Sequence, residues 1–308
     1  MNAYVKIARF DHWFKNIFVI PGFVFALALV PQNDIPNVHL WVKLIVGLLA
    51  IGFIASANYT INEYLDSDFD KHHPVKKNRP GVKGQLSFGL VILQYILFAL
   101  LGLIISYFIN IHFLYYNSAL LGMGIIYNVK PLRSKDIVFL DVLSESINNP
   151  IRMLLGWSMV NSIYFPPSSI LISYWLGGAF LMAIKRYSEY RSIGDKSQAS
   201  KYRKSFKYYN ENNLLISSFF YALNSVFFLG IFLIKYRIEY VLSFPLISGL
   251  FSFYLFLGML DKSIVQTPEK LYKSKPFIAY VILFIFFMIL LLFYDIELLN
   301  NLIEPLKY

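Results

Sequence analysis

The chain has 308 residues, 57% of them hydrophobic and 15% charged, with a mean hydropathy of +0.55. A water-soluble domain carries about 25% charged residues, so this composition excludes a soluble enzyme and describes a polytopic membrane protein. Cysteine is absent, which rules out disulfides and thiolate-ligated metals or clusters; the formal net charge of +10 calls for cytoplasmic loops rather than nucleic acid.

A membrane span needs about 20 predominantly apolar residues. In chain order such runs lie at 16–32, 40–64, 87–109, 113–128, 138–158, 169–186, 212–234, 238–260 and 277–297. They predict an all-α polytopic membrane protein of nine transmembrane helices, forming one integral-membrane domain over residues 1–308. Lys6, Arg9, Asp11 and Lys15 precede the first run. No small-residue cleavage site follows it, so it reads as a retained membrane helix rather than a signal peptide.

Basic residues set the orientation. With the N-terminus inside, the cytoplasmic segments hold nearly all of the 28 lysines and arginines; Lys43, Arg152, Lys235, Arg237 and Lys307 fall elsewhere. That bias predicts a multi-pass protein of the cell inner (plasma) membrane with a cytoplasmic N-terminus and an external C-terminus. The run 196–207, KSQASKYRKSFK, is basic with no apolar face of note. It is expected to lie along anionic headgroups or to guide anionic substrates.

The stretch from Asn58 to Pro80 concentrates the chemistry. Asn58, Asn62, Asp66 and Asp70 recur every four residues, which on a helix puts them on one face. Asn58 and Asn62 lie inside the second apolar run, where a polar group is costly unless it meets a partner or a cavity. Two carboxylates and a carboxamide on one stripe suit a hard divalent cation such as Mg²⁺. Asp66, Asp70 and Asn62 are therefore the candidate metal ligands and catalytic residues. A solvated helix end is the competing account, and Asp68, off the stripe, fits it. Glu63, beside the stripe, can reach it or a basic partner. Lys76 and Arg79 follow in a loop stiffened by Pro74 and Pro80. They read either as ordinary positive-inside charge or as cations that hold phosphate oxygens. Arg152, next to Pro150 in the fifth run, costs about 3 kcal/mol in a membrane unless paired or facing water. It is expected to face a polar cavity near phosphate, with Pro150 breaking the helix.

The segment Asn62-Glu63-x-x-Asp66-x-x-x-Asp70 resembles the N-D-x-x-D-x-x-x-D motif of the UbiA superfamily of intramembrane prenyltransferases. That resemblance implies about nine helices around a cytoplasm-facing cavity, Mg²⁺ as cofactor and an isoprenoid diphosphate site between two Asp-rich motifs. The second motif is expected after the sixth span, where the chain has Lys185-Arg186-x-x-Glu189 and no D-x-x-x-D. The pattern is similar to the decaprenyl-phosphate phosphoribosyltransferase branch. That branch carries D-x-x-H-P-x-K-x-x-R-P, matched by Asp70, His73, Pro74, Lys76, Arg79 and Pro80, and K-R-x-x-E, matched by Lys185, Arg186 and Glu189. Its W-x-K-N is matched by Trp13, Lys15 and Asn16, its Tyr and Lys after the fourth span by Tyr127 and Lys130, and its membrane Arg by Arg152. Glu63 stands where the family has Asp.

The resemblance implies transfer of the 5-phosphoribosyl group of phosphoribosyl diphosphate to a polyprenyl phosphate. Lys15, Lys76, Arg79, Tyr127, Lys130, Arg152, Lys185, Arg186 and Glu189 would bind substrate, and no nucleic acid is involved. Two alternatives stand beside it. A prenyltransferase moving an isoprenoid to an aromatic acceptor would want a second acidic cluster. A transporter would show repeat symmetry.

Overall fold

The structure, a computed structural model, describes residues 2–30, 38–73, 76–236, 238–261 and 263–299. The expected end of the first span at residues 31 and 32, and Pro74, Arg237, Lys262 and Lys307, lie outside the described residues. The secondary structure there is helical throughout. The order is α1 (Ala3–Ala8), a 3-10 helix over Phe10–Val19, α2 (Ile20–Leu29), α3 (Val38–Leu65), α4 (Ser67–Asp70), α5 (Phe88–Ile109), α6 (Ile111–Asn128), α7 (Leu140–Ser146), α8 (Asn148–Val160), α9 (Ser168–Ile193), α10 (Lys196–Tyr202), α11 (Glu211–Tyr236), α12 (Phe244–Met259) and α13 (Lys275–Phe293), with further short 3-10 turns between them.

Among the described residues six stretches are long and apolar enough to cross a membrane: Ala3–Leu29, Val38–Leu65, Phe88–Ile109, Ser168–Ile193, Glu211–Tyr236 and Ile238–Met259. The expectation of nine is met only to that extent. Helices occupy the fourth, fifth and ninth places, but each falls short by itself. The fourth, α6, carries His112, Asn117 and Asn128. The fifth is split at Ile147 into α7 and α8 and bears Asp141, Glu145, Asn148, Asn149 and Arg152. The ninth is apolar but short, over Lys275–Leu291. The split lies ahead of Pro150, which sits in the first turn of α8, where a missing N–H costs little.

The chain divides into two compact units, Met1–Pro166 with Ile193–Asn210, and Pro167–Ser192 with Glu211–Tyr308. The core of the first joins Val19, Phe23, Ala50, Ile51, Ile54, Phe113, Leu120, Leu155 and Met159. Glycines set its tightest crossing. A Cβ on Gly22 of α2 would lie 1.9 Å from the Met153 carbonyl oxygen of α8, and one on Gly156 of α8 would lie 2.0 Å from that of Val19. Small residues that let backbones approach this closely drive helix packing in lipid. Between α5 and α6, Asn117 Nδ2 donates to Ser106 Oγ at 2.8 Å, and Ser106 Oγ donates to Gly102 O at 2.6 Å. Both of these donors thereby find an acceptor inside the protein rather than in lipid.

In the second unit Phe180 of α9 packs against Phe251 and Tyr254 of α12, at ring-centroid distances of 4.7 and 6.0 Å. Ser225 Oγ of α11 donates to Ser173 O of α9 at 2.9 Å. Tyr280 of α13 donates to Leu246 O at 3.0 Å and fills the space over Gly249.

Candidate active site

The stripe keeps its register past the end of α3. Asp66 N–H donates to Asn62 O at 2.9 Å and Asp70 N–H to Asp66 O at 2.8 Å, so helical spacing carries through α4 and all three side chains share one face. Asn58 does not join them. Its amide donates to Leu120 O at 3.0 Å, and its carboxamide occupies the space a Cβ on Gly124 would need; it ties α3 to α6.

Cations from the loop after α6 close on the stripe. Lys135, only 4% exposed, points its ammonium at three oxygens: Asn62 Oδ1 at 3.1 Å, Asn128 Oδ1 at 2.7 Å and Asp66 Oδ1. Arg133 Nη2 donates to the same Asp66 oxygen at 2.9 Å, and its Nη1 donates to Asn128 O at 2.9 Å. On the other flank Arg79 Nη1 donates to Asp70 Oδ2 at 2.5 Å. Lys135, Arg133 and Asn128 escape a reading of the sequence, which counts the segment KPLRSKD as positive-inside charge. Lys130, singled out there for phosphate, is exposed; Lys135, five residues on, reaches the carboxylate.

These contacts shape the titration of the site. Burial alone would raise the Asp66 carboxyl, but Lys135, Arg133 and Arg203 together hold it below the usual carboxylate range. Burial pushes the Asp70 carboxyl up against the pull of Arg79 and Lys76. For Arg79 the cost of burial is outweighed by Asp70 and Glu63, which raise it. Burial lowers the Lys135 ammonium to about 8 in spite of Asp66 beside it, and the Arg133 charge adds to the lowering.

The segment after α9 is not the surface strip its composition suggests. Ala199, Tyr202, Phe206 and Tyr209 are buried, and the segment forms a cap on the first unit. Asp141, fully buried, accepts from Tyr209 Oη at 2.7 Å and Ser205 Oγ at 3.2 Å, and Tyr209 Oη accepts from the Phe139 N–H at 2.7 Å. Gln198 Nε2 donates to His72 O at 3.1 Å. The Tyr202 hydroxyl accepts from the Lys76 ammonium while its ring packs on His73 at 4.6 Å. The apolar face is missed because Tyr202, Phe206 and Tyr209 recur at spacings of four and three within a charged run.

The remaining predicted residues divide between the units. Tyr127 donates to Glu145 Oε2 at 2.7 Å and accepts from Arg203 Nη1 at 3.4 Å, with the Lys135 ammonium 5.6 Å from its ring centroid. Lys15 lies over the Tyr59 ring at 6.0 Å, on the 3-10 helix that buries Asn16 and packs Trp13 over Gly52. Trp13 Nε1 donates to Ser56 Oγ at 2.9 Å. Arg152 is half-buried on α8. Also in the first unit, an apolar cavity of about 440 Å³ is lined by Trp13, Phe14, Ile17, Ile20, Ile45 and Leu48. Lys185, Arg186 and Glu189 belong to the second unit. There Arg186 Nη1 donates to Glu189 Oε2 at 3.0 Å, with both side chains 2% exposed, and Lys185 is half-buried beside them.

Among the described residues no three Asp, Glu, His or Cys side chains gather as a protein-only metal cage. The oxygens of Asn62, Asp66 and Asn128 nevertheless converge on one cation, the Lys135 ammonium. That donor set is hard, and Mg²⁺ is commonly held by one or two carboxylates together with substrate phosphates. The residues present fit such an ion.

Known proteins resemble this arrangement at two levels. The decaprenyl-phosphate phosphoribosyltransferase of Mycolicibacterium smegmatis is 25% identical over 215 residues, 70% of this chain and 64% of that protein. The protoheme IX farnesyltransferase of Alkalihalophilus pseudofirmus is 27% identical over 178 residues, 54% of each chain. The chain thus spans less than two thirds of the length of each of these relatives. In fold it is similar to a UbiA homologue from Archaeoglobus fulgidus bound to GPP and Mg²⁺, with a TM-score of 0.69 and 22% identity over 92% of this chain and 99% of that one. The model of the UbiA prenyltransferase family matches residues 18–275, most of the chain and all of the carboxylate stripe, and the protein is a member of that family.

Proposed function

We propose that the protein transfers the 5-phosphoribosyl group of 5-phosphoribosyl 1-diphosphate to a polyprenyl phosphate of decaprenyl type, releasing diphosphate. The observation that carries this reading is the chemistry of the two motif positions. The first holds Asp66 and Asp70 among Arg133, Lys135 and Arg79. The second holds a buried Arg186–Glu189 pair where two aspartates would serve a second metal. A similarity to the M. smegmatis enzyme over 70% of the chain supports it.

Asp66, Asp70 and Asn62 would hold Mg²⁺. When bound, the ion neutralises the leaving diphosphate as a Lewis acid. In the transfer the anomeric C–O bond to diphosphate breaks as a C–O bond to the lipid phosphate forms. Positive charge then develops on the ribose ring, as in glycoside chemistry. The acceptor oxygen is already anionic, so no general base is required. In the first unit Lys76, Arg79, Lys135 and Arg133 would supply fixed positive charge for substrate phosphates; in the second, Lys185 and Arg186 keep the phosphate role that the motif implies. Lys15 and Arg152 extend the first set, Tyr127 orients it and Lys130, exposed, is peripheral to it; Glu189 orients Arg186. The apolar cavity against residues 13–20 and 45–49 suits a prenyl segment of the acceptor. On this reading residues 1–308 act as one transferase domain with the active site on the cytoplasmic face.

The second reading, transfer of a prenyl group from its diphosphate to an aromatic acceptor, is favoured by the farnesyltransferase relative and the GPP-bound homologue. One assay separates the two. Purified protein is given phosphoribosyl diphosphate, Mg²⁺ and polyprenyl phosphate, and the lipid is analysed by mass spectrometry. A phosphoribosyl adduct is expected. No adduct, together with turnover of a prenyl diphosphate and an aromatic acid, replaces the first reading by the second. Asp66→Asn and Asp70→Asn should each lower turnover by at least about a hundredfold in protein that remains monodisperse in detergent; full activity of both would remove the metal assignment.

A further inference from the structure

Glu63 occupies the motif position where the family has Asp, yet its side chain turns away from the stripe oxygens. It is 3% exposed. Its Oε2 accepts from Arg9 Nη2 at 2.8 Å and lies 3.8 Å from Arg79 Nη1. Its second oxygen, Oε1, is buried and accepts no hydrogen bond. A buried carboxylate oxygen left open is costly, and the cation nearest to this carboxylate after Arg9 is Arg79.

Arg79 in turn is shared. Its Nη1 reaches Asp70 Oδ2 at 2.5 Å, so Glu63, Arg79 and Asp70 form a line with one guanidinium between two carboxylates. Arg9 fixes the far end. It sits at the junction of α1 and the 3-10 helix with φ 49°, a left-handed backbone uncommon for a residue with a side chain. The same junction is tied to α3, because Ser56 Oγ donates to Ala8 O at 2.7 Å. A strained residue held in place by its neighbours keeps the Arg9 guanidinium aimed at Glu63.

We propose that Glu63 is a positioning residue and not a metal ligand. Arg9 holds it so that it can take Arg79 when Asp70 turns to a metal-bound diphosphate, leaving the rest of the guanidinium aimed at the diphosphate oxygens. Without Glu63, the carboxylate left to Arg79 among the described residues is Asp70, and a carboxylate engaged by a divalent cation is a poor partner for a second one. The extra methylene relative to Asp gives the side chain the reach to serve both arginines.

This inference rests on the reading of the stripe as a diphosphate site, whichever organic group carries the diphosphate. Its test therefore uses inorganic diphosphate with Mg²⁺, titrated calorimetrically into the full-length protein in detergent. Glu63→Gln is expected to weaken diphosphate binding about tenfold while the Mg²⁺ concentration that gives half-maximal binding stays at the wild-type value. Asp70→Asn, the control for a ligand, should move that midpoint. Arg9→Gln should weaken binding as Glu63→Gln does, and the double variant should lose no more than either alone. If Glu63→Gln does not purify as a monodisperse protein, Glu63→Asp carries the test. It keeps the charge beside Arg9 but shortens the reach to Arg79, and the same loss is expected. A Glu63 variant that shifts the Mg²⁺ midpoint as Asp70→Asn does, or that binds diphosphate as tightly as wild type, overturns the proposal. So does a wild-type protein that binds no diphosphate. A wild type that binds diphosphate but forms no phosphoribosyl lipid defeats the phosphoribosyl reading alone.

Discussion

Lys135 concentrates the electrostatics of the first unit in one group. Its ammonium is surrounded by oxygens of Asn62, Asp66 and Asn128, yet burial brings its pKa from 10.5 to about 8. Between those values the unfolded chain keeps the Lys135 proton and the folded chain sheds it, so the contribution of this group to stability rises with pH across the window. The thermal midpoint of wild type relative to Lys135→Met should therefore move in favour of wild type between pH 8 and pH 10.5, by the equivalent of about 3 kcal/mol. A difference that stays flat would show an ordinary lysine. The same variant should lose turnover by at least about a hundredfold, whereas Lys130→Met, at an exposed position, should stay within about twofold. The carboxylate stripe is legible in the sequence because its period is local, four residues at a time. Lys135 is not, because it meets Asp66 across 69 residues of chain, and only tertiary folding tells it apart from Lys130.

Hydropathy locates helices well and describes their interiors poorly. Among the described residues six stretches are helical and apolar enough to span a membrane, and the fifth apolar run gives no hint that it divides into α7 and α8 at Ile147. Nor does the charged run 196–207 announce the apolar contacts by which α10 caps the first unit. Both facts depend on partners that are distant in sequence: Asp141 meets Tyr209 across 68 residues. The close crossing of α2 and α8 is of the same kind. Gly22 and Gly156 each face a backbone carbonyl rather than a side chain, and backbone cannot move aside as a rotamer can. Gly156→Leu should accordingly destabilise the first unit by about 3 kcal/mol or more. The loss would be seen as a lowered thermal midpoint and an aggregated fraction on size exclusion; an unchanged midpoint would mean that the crossing is loose.

Across the whole molecule the asymmetry of lysine and arginine, rather than any single site, predicts orientation. The absence of cysteine makes that prediction simple to check, since a single introduced thiol is the sole target of a maleimide. Lys83 and Ile163 are both exposed and lie in segments assigned to opposite faces. In intact cells an impermeant maleimide should label Ile163→Cys and not Lys83→Cys until the membrane is opened. The reverse pattern would invert the topology and move the stripe to the outer face. Family membership and the position of the stripe at a membrane boundary were open to sequence reasoning because they rest on motif and composition. The division into two compact units was not, since it follows from packing.

The 3-10 helix over Phe10–Val19 imposes a counting rule on the N-terminal region. With about three residues per turn, side chains three apart eclipse one another, so Phe10, Trp13, Asn16 and Val19 share a single row. Trp13, over Gly52 of α3, and Val19, in the core with Ala50 and Ile51, stay in one row only while the spacing is a multiple of three. Inserting one or two residues would turn Arg9 and everything before it away by about a third of a circle per residue. Inserting three would restore the row and merely lengthen it by about 6 Å. The segment is thus read in triplets, a periodicity that neither the seven-residue nor the four-residue habits of membrane helices would reveal.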